Sequence, residues 1–338
     1  MVAGGGAARA DNPFGLMLWP KPGQDLGIVA ARAAALGVAW FRPPPLFVDR
    51  WKADTPCPAC REVSRSGLTL VVTLRNGGRD AMPRRPSTPP KDLDAYRQAV
   101  SAVIDIWKPG MLVVENEEDK PLLYSDGRTP GVWDSGGATA QGYARELAVA
   151  CEEAHAHKIL CANGGLSSEA AAALTWMVLL EDGRTDQACD FAKRTFYTST
   201  DPKAGMVLCA YRTAGEVPAQ LRQQLLGSAE QLVPVYRNSA IDAVNFHWYG
   251  RDAATLAQAA DALARLTGKA VMSNEIGQRR WDADPANVRP LLRAAVAAKL
   301  KLAVWFSVDS DDTVSLFDDD GTLRPAGSEF AHQMSGRK

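Results

Sequence analysis

Short apolar runs alternate with amphipathic helical patterns along almost the whole chain, and this alternation limits the possible folds more than any other feature. The runs are continuously apolar, as expected of strands that are buried on both faces. They occupy residues 14–19, 38–42, 68–75, 111–116, 159–163, 241–249, 270–275 and 302–308. Eight such strands, each followed by a helix, predict an α/β fold, a (β/α)8 TIM barrel.

Helical patterns fill the spaces between these runs. Apolar residues from Leu93 to Trp107 recur at spacings of three and four, which gives one apolar stripe, and the pattern repeats from Leu256 to Leu266. Gly268 suits a helix C-terminus, and Asp284-Pro285 suits a helix start. Further helices are predicted near 24–36, 57–66, 138–156, 217–231 and 324–333.

The chain reads as a single domain with an insertion after strand five. Residues 165–216 are too many for a plain connection, so they are expected to form a helical segment beside the site. We expect residues 13–338 to form the barrel and residues 1–12 to be a disordered tail. A doubly wound open sheet is the alternative, but no Gly-rich first turn supports it.

Composition excludes several classes of partner. The 338 residues carry a formal net charge of −1, whereas a nucleic-acid or membrane-surface protein needs a basic face. No apolar run reaches the roughly 18 residues of a membrane helix. We therefore expect neither nucleic acid nor membrane as a partner, and a monomer in solution.

The six cysteines leave the redox environment open. Cys57 and Cys60 are the only close pair and suit a small loop disulfide or two plain thiols, rather than a metal site. The other four lie in apolar contexts and are interpreted as core residues: Cys151, Cys161, Cys189 and Cys209. Ala8-Arg9-Ala10 has the pattern of a signal-peptidase site, although no apolar segment precedes it, and favours a secreted or periplasmic protein.

Polar side chains gather at the C-terminal ends of the predicted strands, where the chemistry of such barrels takes place. They are Arg42, Arg75-Asn76, Asn116-Glu117, Asn163, His247, Tyr249, Glu275 and Trp305. Two facing carboxylates suit glycoside cleavage, because one must be protonated to release the leaving oxygen and the other ionised to attack or to activate water.

The sequence resembles the clan of retaining glycoside hydrolases on (β/α)8 barrels, with catalytic glutamates ending strands four and seven (cellulase/β-xylosidase-like). The resemblance rests on VVENEED and MSNEIG, and on NFHWYG, AVWFS and Phe41-Arg42. It extends from Phe14 to about Phe330.

By this resemblance, Glu117 is the acid/base and Glu275 the nucleophile of a retaining O-glycoside hydrolase that needs neither metal nor cofactor. The bond would be β-linked, in an oligo- or polysaccharide. Five further residues would bind substrate or the catalytic acids. Asn116 would bind the sugar 2-hydroxyl, Arg42 and Tyr249 would orient Glu275, His247 would bridge the two glutamates, and Trp305 would lie under the sugar.

The chain departs from the clan where Glu118 replaces the usual proline, and where Arg75-Asn76 replaces the His after strand three. Mutual repulsion among Glu115, Glu117 and Glu118 would raise the pKa of Glu117. Glu117 would otherwise belong to a solvated acidic cluster, and Glu275 would pair with Arg279 or Arg280. His247 would otherwise be a core histidine.

Other functions have weaker support. A barrel that binds glycans without cleaving them is the main alternative, since the substitution at Glu118 leaves it open. A phosphate-handling barrel would place a Gly-rich loop after strands seven and eight, where this chain has Glu275 and aspartates. The aspartates of 309–312 and 318–320 do not match a calcium loop.

Overall fold

The computed structural model describes residues 12–18, 25–52, 58–77, 86–125, 137–308 and 315–335. Within these ranges the chain forms a closed barrel of eight parallel strands surrounded by helices. The barrel strands are β1 (Phe14–Met17), β2 (Trp40–Arg42), β4 (Thr69–Arg75), β5 (Met111–Val114), β6 (Leu160–Asn163), β7 (Ala243–Trp248), β8 (Ala270–Ile276) and β9 (Ala303–Trp305).

The barrel closes because β1 pairs with both β2 and β9, and β2 also pairs with β4. The predicted fold is therefore confirmed. One short strand, β3 (Leu46–Phe47), was not predicted and pairs with the C-terminal end of β4. At two residues it is too short for an apolar pattern to reveal it.

Helices occupy most of the connections between strands. They are α1 (Leu26–Ala35), α2 (Pro58–Ser66), α3 (Leu93–Trp107), α4 (Ala138–Ala156), α5 (Ser168–Glu181), α6 (Thr185–Thr195), α7 (Ala219–Leu226), α8 (Ala229–Asn238), α9 (Ala253–Thr267), α10 (Val288–Ala297) and α11 (Pro325–Ser335). Short 3-10 helices cover Ala204–Ala210, Ala214–Glu216, Arg280–Asp282 and Pro285–Asn287.

Local chemistry sets several helix ends. Asp92 and Asp252 accept backbone N–H groups of the first turn of α3 and α9, which satisfies donors that have no partner within the helix. Gly268 ends α9 in the left-handed region, as predicted. Asp284 is an N-cap, as predicted. The turn that it caps, Pro285–Asn287, is a short 3-10 helix that precedes α10.

The insertion after the fifth barrel strand is helical, as expected. It contains α5, α6 and two 3-10 helices before α7 and α8 lead back to β7. Together, α5 and α6 place residues 194–199 above the C-terminal end of the barrel, where they line a pocket beside β7 and β8.

Alternate residues of each strand face two separate apolar layers. Val71 and Val113 belong to a small cluster inside the barrel. Leu70, Val72 and Leu112 belong to the larger cluster between the strands and the helices. This two-residue period decides which strand-end side chains can reach the site.

The cysteines differ from expectation. Cys151 of α4 is bonded to Cys161 of β6, and Cys189 of α6 is bonded to Cys209 of the following 3-10 helix. Cys151 and Cys161 are fully buried in the core, as predicted, whereas Cys189 and Cys209 are only half-buried, and neither disulfide was predicted. Cys60 is also disulfide-bonded, whereas Cys57, its expected neighbour in a small loop, lies outside the described residues.

Candidate active site

Glu275, the last residue but one of β8, accepts hydrogen bonds from two donors. Nη1 of Arg42 lies 2.5 Å from its Oε1, and the hydroxyl of Tyr249 donates to its Oε2 at 2.5 Å. Arg42 is itself fixed because its Nε donates to the Thr73 hydroxyl at 2.9 Å. The carboxylate therefore has a defined orientation at the mouth of the barrel.

The charge of Glu275 is stabilised despite its burial. Burial alone raises the pKa of this carboxyl, but the charges of His247 and Arg42 outweigh that effect, so the pKa lies below its ordinary value. Glu275 is therefore ionised at neutral pH, as a nucleophile or a general base requires.

Glu117 lies just beyond β5, and its carboxylate meets two nitrogens. Nδ1 of His247 is 3.1 Å from its Oε1, and Nζ of Lys120 is 3.1 Å from its Oε2. Glu115 and Glu117 both have positive φ, 71° and 47°. Such angles are uncommon for residues other than glycine and recur where surrounding structure enforces them, often at functional sites.

A chain of side-chain amides fixes the tautomer of His247. The backbone N–H of Asn274 donates to Oδ1 of Asn245, so Nδ2 of Asn245 must be the group that donates to Oδ1 of Asn274 at 2.8 Å. That same oxygen lies 3.0 Å from Nε2 of His247. An amide oxygen only accepts, so Nε2 carries a hydrogen and Nδ1 is left facing the carboxylates.

His247 joins the two glutamates, named here the mouth pair (Glu117 and Glu275). Its Nδ1 is 3.1 Å from an oxygen of Glu117 and 3.4 Å from an oxygen of Glu275. Those oxygens cannot be farther apart than the sum of the two distances, 6.5 Å, a limit reached only if the three atoms were collinear. The mouth pair is therefore close enough to act on one bond.

One proton is shared between His247 and Glu117. Burial alone raises the pKa of Glu117, but the hydrogen bond and charge of His247, together with Lys120, lower it to about 2. Burial alone lowers the pKa of His247, whereas Glu275 and Glu117 raise it above its ordinary value. At pH values below the raised pKa of His247, the proton between the two groups therefore lies on Nδ1 of His247, next to Glu117. The expected upward pKa shift of Glu117 was wrong, because these cations outweigh its acidic neighbours.

Four further carboxyl groups lie behind the mouth pair and are named here the buried acids: Glu115, Glu118, Asp119 and Glu146. Oε1 of Glu118 accepts from the hydroxyl of Tyr236 at 2.7 Å, and Glu146 accepts from the hydroxyl of Tyr124 at 2.8 Å. The alternative of a solvated acidic cluster after β5 is therefore wrong.

Burial raises the pKa of each buried acid. For Glu146 the charge of Glu115 adds to this effect. For Asp119 the pKa rises to about 7 even though Ser167 donates to it through both its N–H and its hydroxyl. Around Glu118, Asp119 and Glu146, neutral hydroxyl and amide donors do not offset the loss of hydration as the cations at the mouth do. The pKa of Glu115 is raised although Arg75 lies 3.5 Å from its Oε2, because burial outweighs that charge.

Two glycines after β6 let the backbone approach these groups. A Cβ on Gly164 would lie 2.5 Å from Oε2 of Glu118, and one on Gly165 would lie 2.5 Å from Nε2 of His247. Gly165 also has φ of +107°. Any side chain at either position would displace the acidic segment or the histidine.

The structure brings six of the seven predicted site residues together. Arg42, Tyr249 and His247 surround Glu275 as described above. Asn116 joins them, because its Oδ1 accepts from Nη2 of Arg42 at 2.8 Å. The alternative in which Glu275 pairs with Arg279 fails, since Glu275 pairs with Arg42 and Arg279 donates to the carbonyl of Tyr197.

Trp305 is the exception. It is fully buried and packs edge-on against Phe330 of α11, in the layer between strands and helices. Phe306 instead packs against the cluster inside the barrel and lies edge-on to Tyr249 at 5.7 Å. Neighbouring residues of a strand point to opposite faces, so the aromatic ring beside Glu275 belongs to Phe306, and the expectation for Trp305 was wrong.

Sequence reasoning missed three contributors to the site. Phe306 follows the predicted residue by one position. Asn274 stands next to Glu275 in the same motif, and a side chain that fixes the tautomer of a histidine leaves no pattern of its own. Lys120 lies three residues after Glu117, and that spacing was the one available signal.

Metal binding and membrane spans can be assessed for the described residues only. Within the described residues no group of three or more His, Cys, Asp or Glu side chains is arranged to hold a metal ion. No described helix is both long and apolar enough to cross a membrane. The tail 1–11, the aspartates of 309–312 and large parts of the loops 77–90 and 120–137 lie outside the described residues.

Comparison with known proteins places the fold among glycoside hydrolases. Neither a protein-family model nor a curated protein sequence matches the chain. Solved structures do match it over nearly its whole length. A family 39 glycoside hydrolase from the gut symbiont Bacteroides cellulosilyticus WH2 has a TM-score of 0.53 at 13% identity, with 96% of this chain and 63% of that chain covered.

Two further solved structures, a mannosidase and a mannanase, show the same likeness. The exo-β-1,4-mannosidase Op5Man5 from Opitutaceae bacterium strain TAV5 matches with a TM-score of 0.57 at 12% identity, covering 96% of this chain and 59% of that one. The endo-β-1,4-mannanase from Thermotoga petrophila gives 0.53 at 11%, with 96% and 77% covered. This chain thus spans about three-fifths of the length of the first two, and identities this low establish the shared barrel alone.

Proposed function

We propose that this chain is a retaining O-glycoside hydrolase of the clan that it resembles. One observation carries the proposal: the mouth pair projects from the ends of the fourth and seventh barrel strands, and both carboxylates contact one ring nitrogen of His247. Retaining enzymes have carboxyl groups about 5–5.5 Å apart and inverting enzymes about 6.5–9.5 Å. The two oxygens that face His247 are at most 6.5 Å apart, which is the lower limit of the inverting range and supports retention.

In the first step, an oxygen of Glu275 attacks the anomeric carbon while the glycosidic oxygen takes a proton from Glu117 and leaves. A water molecule then attacks the same carbon, gives a proton to Glu117, and releases the sugar and Glu275. Arg42 and Tyr249 hold the attacking carboxylate in position. Oδ1 of Asn116 is occupied by Arg42, so its Nδ2 would donate to the 2-hydroxyl.

His247 supplies the proton that Glu117 lacks in the free protein. The charge of Glu275 is one of the reasons that the pKa of His247 is raised. Attack on the sugar consumes this charge, which weakens the hold of Nδ1 on its proton. The proton can then pass to Glu117, 3.1 Å away, as the leaving oxygen gains negative charge. The second step restores both the charge and the proton.

The bond is proposed to be β-linked, since the mannosidase and the mannanase that share the fold act on β-1,4 bonds. A secreted or periplasmic location is proposed as well. Two disulfides, Cys151–Cys161 and Cys189–Cys209, support it, because such bonds persist mainly in oxidising compartments.

The alternative, a barrel that binds glycan without cleaving it, is favoured by one observation. Lys120 lies against Glu117 and bridges to Glu169 at 3.3 Å, which keeps the would-be acid ionised. In a working enzyme, substrate must displace this lysine or the proton on His247 must serve instead.

The configuration of the first product tests the proposal. Proton NMR of a hydrolysis started in deuterated buffer, with β-linked oligosaccharides as substrates, should show the β-anomer first and the α-anomer only by later mutarotation. An initial α-anomer would mean inversion. Absence of turnover on β-mannan, β-glucan and β-xylan oligosaccharides, with binding retained, would favour the non-cleaving barrel.

A further inference from the structure

A pocket of about 810 Å³ opens beside the mouth pair. Tyr249 and Phe306 form the side nearest Glu275, so the pocket continues from the proposed catalytic site. The insertion after β6 contributes Tyr197, and the segment after β8 contributes Arg279 and Trp281. Its volume falls within the range of pockets that hold small-molecule ligands, about 300–1,000 Å³.

Arg279 is a positioned cation in this pocket. Its Nη1 donates to the carbonyl of Tyr197 at 2.7 Å. Its guanidinium lies over the ring of Tyr197 at 4.9 Å and over the ring of Trp281 at 5.7 Å. Contacts with two rings and a carbonyl limit its motion, so the remaining N–H groups keep a defined direction.

No carboxylate among the described residues pairs with Arg279, unlike its neighbours. Arg194, which also lines the pocket, pairs with Asp190 and Asp252. Arg251, which shares the ring of Tyr197, pairs with Asp282 at 3.1 Å. The positive charge of Arg279 is therefore left for a group that enters the pocket.

The acids nearest to this cation are engaged elsewhere. Asp282 accepts from the hydroxyl of Tyr197 at 2.6 Å in addition to pairing with Arg251. Glu169, the one acid that lines the pocket, lies 3.3 Å from Lys120. A guanidinium has five N–H donors in a planar fork that matches the two oxygens of an oxyanion.

We propose that this pocket is a subsite for a sugar that carries an anionic group, either a carboxylate or a sulfate ester. Arg279 binds the oxyanion, and Trp281, which is 47% exposed, offers its face to the sugar ring. This inference rests on the proposed function, because it takes the pocket to be part of the same substrate cleft as the mouth pair. It narrows the substrate class from glycans in general to acidic glycans.

Affinity gel electrophoresis of the Glu275→Gln protein, which should bind without turnover, tests the subsite. The gels contain glucuronoxylan, polygalacturonate or alginate as carboxylate polymers, or chondroitin sulfate as a sulfated one. Matched gels contain the carboxyl-reduced or desulfated polymer. At least one anionic polymer should retard the protein, and the loss of retardation on reduction or desulfation identifies which anion is bound.

Added substitutions locate the binding group. Arg279→Gln should weaken binding about tenfold or more. Arg279→Lys keeps the charge but not the planar set of N–H donors, so its affinity should lie between those of the parent protein and Arg279→Gln. Arg265→Gln is the matched control, because it removes the same charge from an exposed pair with Asp182 outside the pocket. It should leave retardation unchanged. Thermal melting of each variant confirms that it folds.

Three outcomes would overturn the inference. They are the absence of retardation by every anionic polymer, equal retardation by the neutral derivatives, and equal weakening by Arg265→Gln. Turnover by the wild-type protein is measured separately on neutral and acidic glycans. Efficient cleavage of neutral glycans alone contradicts the subsite but supports the proposed function. Arg279-dependent binding without turnover supports the subsite and contradicts the proposed function.

Discussion

The mouth pair and the buried acids contain the same chemical group within a few residues of each other, yet their carboxyls titrate in opposite directions. Glu117 contacts two cationic groups and has a pKa of about 2, while Glu118, the next residue, contacts tyrosine hydroxyls and an amide and has a raised pKa. Both are largely buried. Between these two neighbours, the partners decide whether the charge survives, whereas for Glu115 burial outweighs the charge of Arg75.

The difference also separates chemistry from stability. A carboxyl whose pKa falls on folding stabilises the protein above its unfolded pKa and loses that contribution as the pH falls. A carboxyl whose pKa rises on folding does the reverse. The same substitution, Glu to Gln, should therefore have different consequences in the mouth pair and in the buried acids.

The largest effect is expected from Glu275→Gln, which removes the proposed nucleophile while keeping the shape of its side chain. We expect kcat to fall by about 10³-fold or more, because no other side chain can form the covalent intermediate. Hydrolysis rates on the best β-linked substrate measure it. Glu118→Gln is the matched control, since it makes the same change in a carboxyl that contacts tyrosine hydroxyls and an amide, and it should stay within about tenfold of wild type. Similar losses in both would remove the distinction drawn here.

Glu117→Gln should cost less, about 10²–10⁴-fold in kcat, the usual contribution of a general acid. The loss should depend on the leaving group. A nitrophenyl glycoside, whose leaving oxygen needs no proton, should be affected far less in its first step than an oligosaccharide. Steady-state and burst kinetics on the two substrates provide the measurement. An equal loss on both would show that Glu117 is not the acid.

Glu146→Gln should alter stability rather than rate. The pKa of Glu146 is raised well above 4.5, so the folded protein holds this proton more tightly than the unfolded chain does. The free energy of unfolding should fall as pH rises from about 4.5 through the folded pKa. Gln removes this ionisation, so wild type should lose stability relative to the variant as pH rises from 5 to 8. Urea unfolding at both pH values measures it, and parallel pH dependence in the two proteins would contradict it.

Lys120→Met should have the smallest effect. Activity should need the proton shared by His247 and Glu117, so kcat/KM should fall at high pH as that proton is lost. Since the pKa of His247 is raised, this fall should begin above pH of about 6.5. Removing a positive charge 3.1 Å from Glu117 should move it to higher pH, by less than about one pH unit.

The pH profile of kcat/KM provides that measurement. Lys301→Met, a substitution at the surface, is the control and should not move the alkaline fall. A shift to lower pH in Lys120→Met would mean that another group carries the proton.

Sequence reasoning reached the fold and most of the site because both follow from patterns that recur along the chain. Continuous apolar runs ending in polar residues predicted the barrel strands and placed Arg42, His247 and Glu275 at one end. The errors came from information that no pattern carries. A two-residue period with an uncertain register cannot tell Trp305 from Phe306, since a shift of one residue exchanges the faces.

The two disulfides and the direction of the pKa shift of Glu117 were missed for a related reason. Bonding between Cys189 and Cys209 depends on how α6 meets the 3-10 helix that follows it, a contact across 20 residues. The opposite pKa shifts of Glu117 and Glu118 depend on positive φ angles in the turn after β5. Backbone conformation of this kind is enforced by tertiary contacts and leaves no trace in composition.

The amides that fix His247 also separate two populations of protons. Asn163 contacts Glu118 and the backbone N–H of Asn245, and Asn245 continues through Asn274 to His247. The row is an unbroken series of contacts from a buried acid to His247. Side-chain amides, however, hold their hydrogens and accept no proton at neutral pH, so no proton can be handed along this row. The barrel thereby keeps the proton that exchanges at its mouth apart from the buried acids, whose pKa values are raised by burial.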